Sequence, residues 1–124
     1  MKEKNYTILV VDDSKSIRAL LASLIKENLP FVHVDTVSSS KEALSFIKKN
    51  GVDLILLDIM MPEIDGFAFA EQLKKDSNTK EIPIIFITAS LNKDEFIKKG
   101  FSLGAVDYIQ KPFDELLLAN KINT

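Results

Sequence analysis

The stretch Leu54-Ile55-Leu56-Leu57-Asp58-Ile59-Met60-Met61-Pro62 decides the fold. Four consecutive apolar residues read as a strand buried on both faces, as in a parallel sheet covered by helices, and they deliver one carboxylate, Asp58, to the strand end. Pro62 cannot extend a ladder, so the chain must turn there. In open α/β sheets ligands bind in the crevice at the carboxyl ends of the strands, which makes an acid at that point a site or a misplaced charge.

The rest of the chain alternates strand and helix around this stretch. Tyr6 to Val11 is a short β-forming run that ends at Asp12-Asp13. Ile17, Leu20, Leu21, Leu24 and Ile25 then recur at helical spacing, with Asp13 or Ser14 as the cap and Leu29-Pro30 as the stop. Phe31 to Val37 reads as a second strand. Ser39 and Glu42 have capping-box spacing before Ala43, Leu44 and Ile47, and that helix closes at Asn50-Gly51. Beyond Pro62, Ile64-Asp65-Gly66 is a turn, and Phe69, Ala70 and Leu73 mark a third helix running out near Lys74-Lys75-Asp76. Ile82 to Ile87 is a fourth strand with Pro83 at its start, ending at Thr88-Ala89-Ser90. Asn92, Glu95, Phe96, Ile97 and Leu103 describe a fourth helix weakened by Gly100, and Ala105 to Ile109 a fifth strand. Gln110-Lys111-Pro112-Phe113 leads to an Asp114 cap and a last helix through Leu117, Leu118 and Ile122. Five βα units of about 25 residues predict one α/β domain over residues 1–124 with a single parallel sheet.

Composition narrows the function. A chain of 124 residues, 46% hydrophobic, fits one domain with a real core. A formal charge of −2 gives no footprint of a nucleic-acid or membrane binder, and the absence of cysteine removes thiolate chemistry and Cys-ligated metals. No signal-like or membrane-spanning run is present, so the expected location is cytoplasmic.

The chemistry emerges when strand ends are compared. The first strand ends at Asp12-Asp13, the third at Asp58, the fourth at Thr88 and the fifth just before Lys111, all on one edge of a parallel sheet. Carboxylates about 5 Å apart repel by roughly 3 kcal/mol per pair at an effective dielectric near 20, so a cation must resolve the cluster or an acid must stay protonated. An all-oxygen set suits Mg²⁺, with Mn²⁺ as the alternative; His33, in the second strand, lies away from it. A hard cation beside a carboxylate, a hydroxyl and a lysine is equipment for phosphoryl transfer, with Asp58 as nucleophile and Thr88 and Lys111 on the phosphoryl oxygens. No Gly-rich phosphate loop is present, which argues against a nucleotide as the immediate donor.

Each residue also has a plainer reading. Asp12-Asp13 could only cap a helix, Asp58 could be a turn residue, Thr88 a strand-end hydroxyl and Lys111 a solvated charge; their convergence on one edge favours a site. Met60-Met61 reads as packing, and Lys48-Lys49, Lys74-Lys75 and Lys98-Lys99, late in helices, as solvated faces.

Asp12-Asp13, Leu57-Asp58-Ile59-Met60-Met61-Pro62 with Gly66, Thr88-Ala89, and Gly104-Ala105 through Tyr108 to Lys111-Pro112-Phe113 together resemble the receiver domain of bacterial two-component response regulators. The resemblance spans the chain. It implies a doubly wound, flavodoxin-like five-stranded sheet in the order 2-1-3-4-5 with five helices. It implies that Asp58 accepts a phosphoryl group from a histidine kinase, a phosphotransfer protein or a small phosphodonor. It implies Mg²⁺ on Asp13, Asp58 and the Met60 backbone carbonyl, with Asp12 acting mainly through water. Thr88 and Lys111 would hold phosphoryl oxygens, and Thr88 and Tyr108 would relay the change to the face of the fourth helix, fifth strand and fifth helix. Met60 and Ser90 stand where the family tunes dephosphorylation, and the Lys111-Pro112 bond is expected to be cis. The implied role is a switch with no turnover on an external substrate. The chain is expected to be a single-domain regulator or, in preference, the receiver part of a longer protein with a covalent or separate output domain. A homodimer is allowed, though nothing in the sequence calls for one. The rival functions are a haloacid-dehalogenase-like Mg²⁺-dependent phosphatase, which would carry a second Asp where Met60 stands, and a phosphorylation-independent interaction module.

Overall fold

The computed structural model describes residues 6–58, 66–88 and 107–110. Its elements run β1 (Tyr6–Val11), α1 (Lys15–Asn28), β2 (Val32–Val37), α2 (Ser40–Asn50), β3 (Leu54–Asp58), α3 (Gly66–Lys75), β4 (Ile84–Thr88) and β5 (Asp107–Gln110). The strands form one sheet in the order β2-β1-β3-β4-β5, and every neighbouring pair is parallel. This is the order the resemblance implies. The expected fourth and fifth helices fall outside the described residues.

Strand periodicity of two sends alternate side chains to opposite faces, and the core divides accordingly. Leu9, Val11, Ile55, Leu57, Ile84 and Phe86 share one cluster with Ala43 and Ile47 of α2 and with Phe67, Phe69, Ala70 and Leu73 of α3. Ile8, Val10, Leu54, Leu56, Ile85 and Ile87 share the other with Leu21 and Ile25 of α1. Helices therefore cover both faces, which is why the central strands are uninterrupted apolar runs. Phe67 meets Phe86 edge to face, ring centroids 5.0 Å apart, and so seats the start of α3 under β4.

Local chemistry sets the element ends. Of the two candidate caps for α1 it is Ser14 that serves, its Oγ accepting from the Ile17 N–H at 3.3 Å. Ser39 caps α2 by accepting from the Glu42 N–H at 3.1 Å. The return half of that capping box differs from expectation: Glu42 Oε1 accepts from the backbone N–H and the hydroxyl of Ser38, at 2.8 and 2.9 Å. Ser38 offers two donors to one oxygen, against the single N–H that Ser39 could supply. Gly51 ends α2 at φ 72°, the left-handed region that glycine enters without steric cost.

Three boundaries differ from the sequence expectation, one of them the end of β5, which includes Gln110, registered on Thr88, where the strand was expected to stop at Ile109. β2 begins at Val32, leaving Phe31 exposed. β4 begins at Ile84, because Pro83 has no N–H for the ladder; its carbonyl still accepts from the Ile55 N–H at 3.0 Å. At the opposite edge of the sheet from the candidate site, Thr7 and Asp53 are joined twice. The Thr7 N–H donates to Asp53 Oδ2 and the Asp53 N–H to the Thr7 carbonyl, both at 2.9 Å. That pair pins β1 against β3 where their registered pairing starts, at Ile8 and Leu54.

Lys74 corrects the reading of late-helix lysines as solvated. Its Nζ donates to the carbonyls of Lys80 and Ile82, each at 3.1 Å, so it ties the end of α3 to the turn entering β4. Partial burial pushes its pKa below the ordinary 10.5, against the attraction of Glu81. Lys48, Lys49 and Lys75 are exposed as expected; Lys98-Lys99 lies outside the described residues.

Candidate functional site

The carboxyl ends of β1 and β3 are adjacent, with Val11 registered on Leu57. One step further along each strand stand Asp12 and Asp58. Asp12 extends the ladder past β1, its N–H donating to the Val37 carbonyl of β2 at 3.2 Å. Asp58 is the last residue of β3 and is registered against Ile87. Both acids are buried, Asp12 at 0% and Asp58 at 5% exposure, while Asp13 is exposed.

Asp12, Asp13 and Asp58 each bring one carboxylate oxygen to within 4.8 Å of the other two. Parallel strands made this convergence: the same edge receives the tip of every strand, and β1 and β3 are neighbours. The donor set is oxygen alone. Sequence reasoning anticipated the cluster, and carboxylates at this spacing suit a hard divalent cation better than zinc or copper.

Hydrogen bonds orient this corner. Asp12 Oδ1 accepts from the Ser14 N–H at 2.9 Å, which turns the chain directly from β1 into α1. The Asp12 carbonyl accepts from Arg18 Nη1 at 2.9 Å. Across the β2–α2 connection, the Ser38 N–H and then its hydroxyl hold the exposed Glu42 below its ordinary pKa of 4.5; a smaller desolvation opposes this, and the Arg18 charge adds to it. Arg18 was missed in the sequence. A signal existed, because a cation in the opening turns of a helix opposes the macrodipole and needs a compensating partner.

The remaining expected residues are placed less fully. Thr88 is the last residue of β4, registered on Gln110, and Tyr108 lies in β5, registered on Phe86. Their backbones thus occupy the half of the sheet beside Asp58. Met60, Ser90, Lys111 and the Lys111-Pro112 bond lie outside the described residues. His33, on β2, is paired with Asp35 through Nε2 and Oδ2 at 2.6 Å, and the strand register sets it beside Thr7, towards the start of β1.

The model of the response regulator receiver domain matches residues 8–123. The chain belongs to that family. Receiver domains of two-component response regulators are phosphorylation-dependent signalling switches, and the domain is not in itself an enzyme. With the family shown, the haloacid-dehalogenase-like alternative falls away.

Particular relatives agree. Chemotaxis protein CheY4 of Vibrio cholerae has the same fold with a TM-score of 0.88 at 29% identity, over 97% of this chain and 98% of that one. The response regulator PleD of Caulobacter vibrioides is 37% identical over 118 residues, which are 94% of this chain and 25% of PleD. A probable cyclic di-GMP phosphodiesterase of Vibrio cholerae is also 37% identical over 118 residues, 95% of this chain and 26% of that protein. The receiver domain spans between a quarter and a half of the curated relatives it matches. No helix among the described residues is long and apolar enough to cross a membrane.

Proposed function

We propose that Asp58 is the phosphoacceptor of this receiver domain and that Asp12, Asp13, Asp58 and the Met60 carbonyl hold Mg²⁺, or Mn²⁺ in its place. The observation that carries the reading is the approach of the three carboxylate oxygens to within 4.8 Å at the tip of the central strand. In the reaction an Asp58 oxygen attacks the phosphorus in line. The bond from phosphorus to the donor's nitrogen or oxygen breaks, and its electron pair leaves with the donor. Bound cation would offset the charge of the carboxylates and of the incoming phosphoryl oxygens. The Thr88 hydroxyl and the Lys111 ammonium donate to the other phosphoryl oxygens, and Thr88 with Tyr108 relays the new state toward β5 and the helices beside it.

The donor is a phosphohistidine of a sensor histidine kinase or phosphotransfer protein, or a small phosphodonor. The receiver acts in the cytoplasm on a covalent or separate output domain and carries out no turnover on an external substrate. Intact-mass analysis after acetyl phosphate and Mg²⁺ should show one phosphoryl group gained by the wild type and none by Asp58→Asn. Labelling of that variant at the wild-type level would overturn the assignment, and an unlabelled wild type would favour a phosphorylation-independent interaction module.

A further inference from the structure

Three separate groups of Asp12 are fixed, one by β2 and two by the start of α1. Its N–H goes to Val37 on β2 at 3.2 Å, and its Oδ1 receives the N–H of Ser14, the α1 cap, at 2.9 Å. Its carbonyl receives Nη1 of Arg18 at 2.9 Å. That carbonyl belongs to the peptide joining Asp12 to Asp13. A bond to it fixes the plane from which Asp13 projects, and hence where the exposed carboxylate stands relative to the buried one. Arg18 is half-buried and sits in the second turn of α1, so its hold on the loop is backed by a helix packed on the sheet through Leu21 and Ile25.

We propose that Arg18 is a positioning residue for the divalent-cation site: by gripping the Asp12 carbonyl it sets the spacing of the Asp12 and Asp13 carboxylates. The proposal rests on the reading of the acidic cluster as that site. It makes a prediction opposite in sign to the one charge alone would make. A guanidinium near a cation site repels the cation, so removing only its charge would tighten binding; removing the grip loosens the ligand set and weakens binding. Groups that orient ligands commonly matter tenfold or more to metal affinity, and Arg18 acts one step further back, through the peptide.

The test is Mn²⁺ titration followed by electron paramagnetic resonance, at a temperature where far-ultraviolet circular dichroism shows each variant folded. Arg18→Met keeps the apolar stem and removes donor and charge; its dissociation constant should rise on the order of fivefold. Arg18→Lys keeps the charge but shortens the reach and loses the planar fork, and should weaken binding about twofold. If folded Arg18→Met binds Mn²⁺ as tightly as wild type or tighter, the positioning role is wrong while the cation site stands. If Arg18→Met does not fold, wild-type affinity in Arg18→Lys overturns the proposal in the same way. A wild type that binds no Mn²⁺ removes the cation site and this inference with it.

Discussion

Substituting Asp58 by Asn should make the cation-free protein more stable. Two of the three clustered carboxylates are buried, and each oxygen lies within 4.8 Å of the others. At that distance and an effective dielectric near 20, a pair of unit charges repels by about 3 kcal/mol. Asp13 is exposed, so solvent screens its share and the buried Asp12–Asp58 pair dominates. Asn keeps the shape and one acceptor oxygen while removing the charge; the repulsion relieved is about 1–3 kcal/mol, and the net gain is that amount less the attraction Asp58 gives up to its other partners. Urea unfolding followed by far-ultraviolet circular dichroism reads it, a suitable signal since the chain has no tryptophan. Mg²⁺ should then narrow the gap. At ten times its dissociation constant it stabilises wild type by about 1.4 kcal/mol and the variant, with one charged ligand fewer, by much less. An Asp58→Asn protein less stable than wild type without cation, or stabilised by Mg²⁺ to the same extent, refutes the electrostatic account of the cluster.

Thr79, 6% exposed, donates through Oγ1 to the Leu73 carbonyl at 2.5 Å, near the end of α3 where carbonyls lack helical partners. Thr79→Val should cost about 1–2 kcal/mol in the same urea assay. Lys74→Met removes the two bonds to the Lys80 and Ile82 carbonyls and should cost about 1 kcal/mol, with protease cleavage between α3 and β4 becoming faster. Glu42 is held below its ordinary 4.5, so what its charge adds is present in full above that value and lost as pH falls through the folded one. Glu42→Gln should therefore be less stable than wild type at neutral pH, with the difference vanishing in acid; a constant difference across the range would exclude the charge as its cause.

What the sequence reveals and what it hides follow from the range of the interactions. The buried runs Leu54–Leu57 and Ile84–Ile87 were legible because a strand covered on both faces has to be apolar at every position. The cluster was legible because a parallel sheet sends all its strand tips to one edge, so Asp12, Asp13 and Asp58 could be brought together before any distance was known. Lys74 and Thr79 were not legible in their roles, and Arg18, a cation near a helix start, signalled the need for a partner without naming it. Each reaches a backbone carbonyl six or eight residues away, and a carbonyl carries no residue identity for a pattern to register. The shift of the Glu42 bond to Ser38 belongs with these, since the spacing rule names positions and the hydroxyl one residue earlier changes the competition.

The division of one strand's side chains between two cores has a consequence for how the chain tolerates change. Leu54 and Leu56 belong to one cluster and Ile55 and Leu57 to the other, so β3 can sit in the sheet in only one register. Half-steps do not exist. A one-residue deletion within β3 would either invert every side chain before it to keep Asp58 in place, or keep those side chains and withdraw the acid by about 3.3 Å, the rise of one residue, onto the other face. Trimming a methyl from the core leaves it where it was. The position of the Asp58 carboxylate is thus a digital quantity, indifferent to drift in packing volume and intolerant of a miscounted residue.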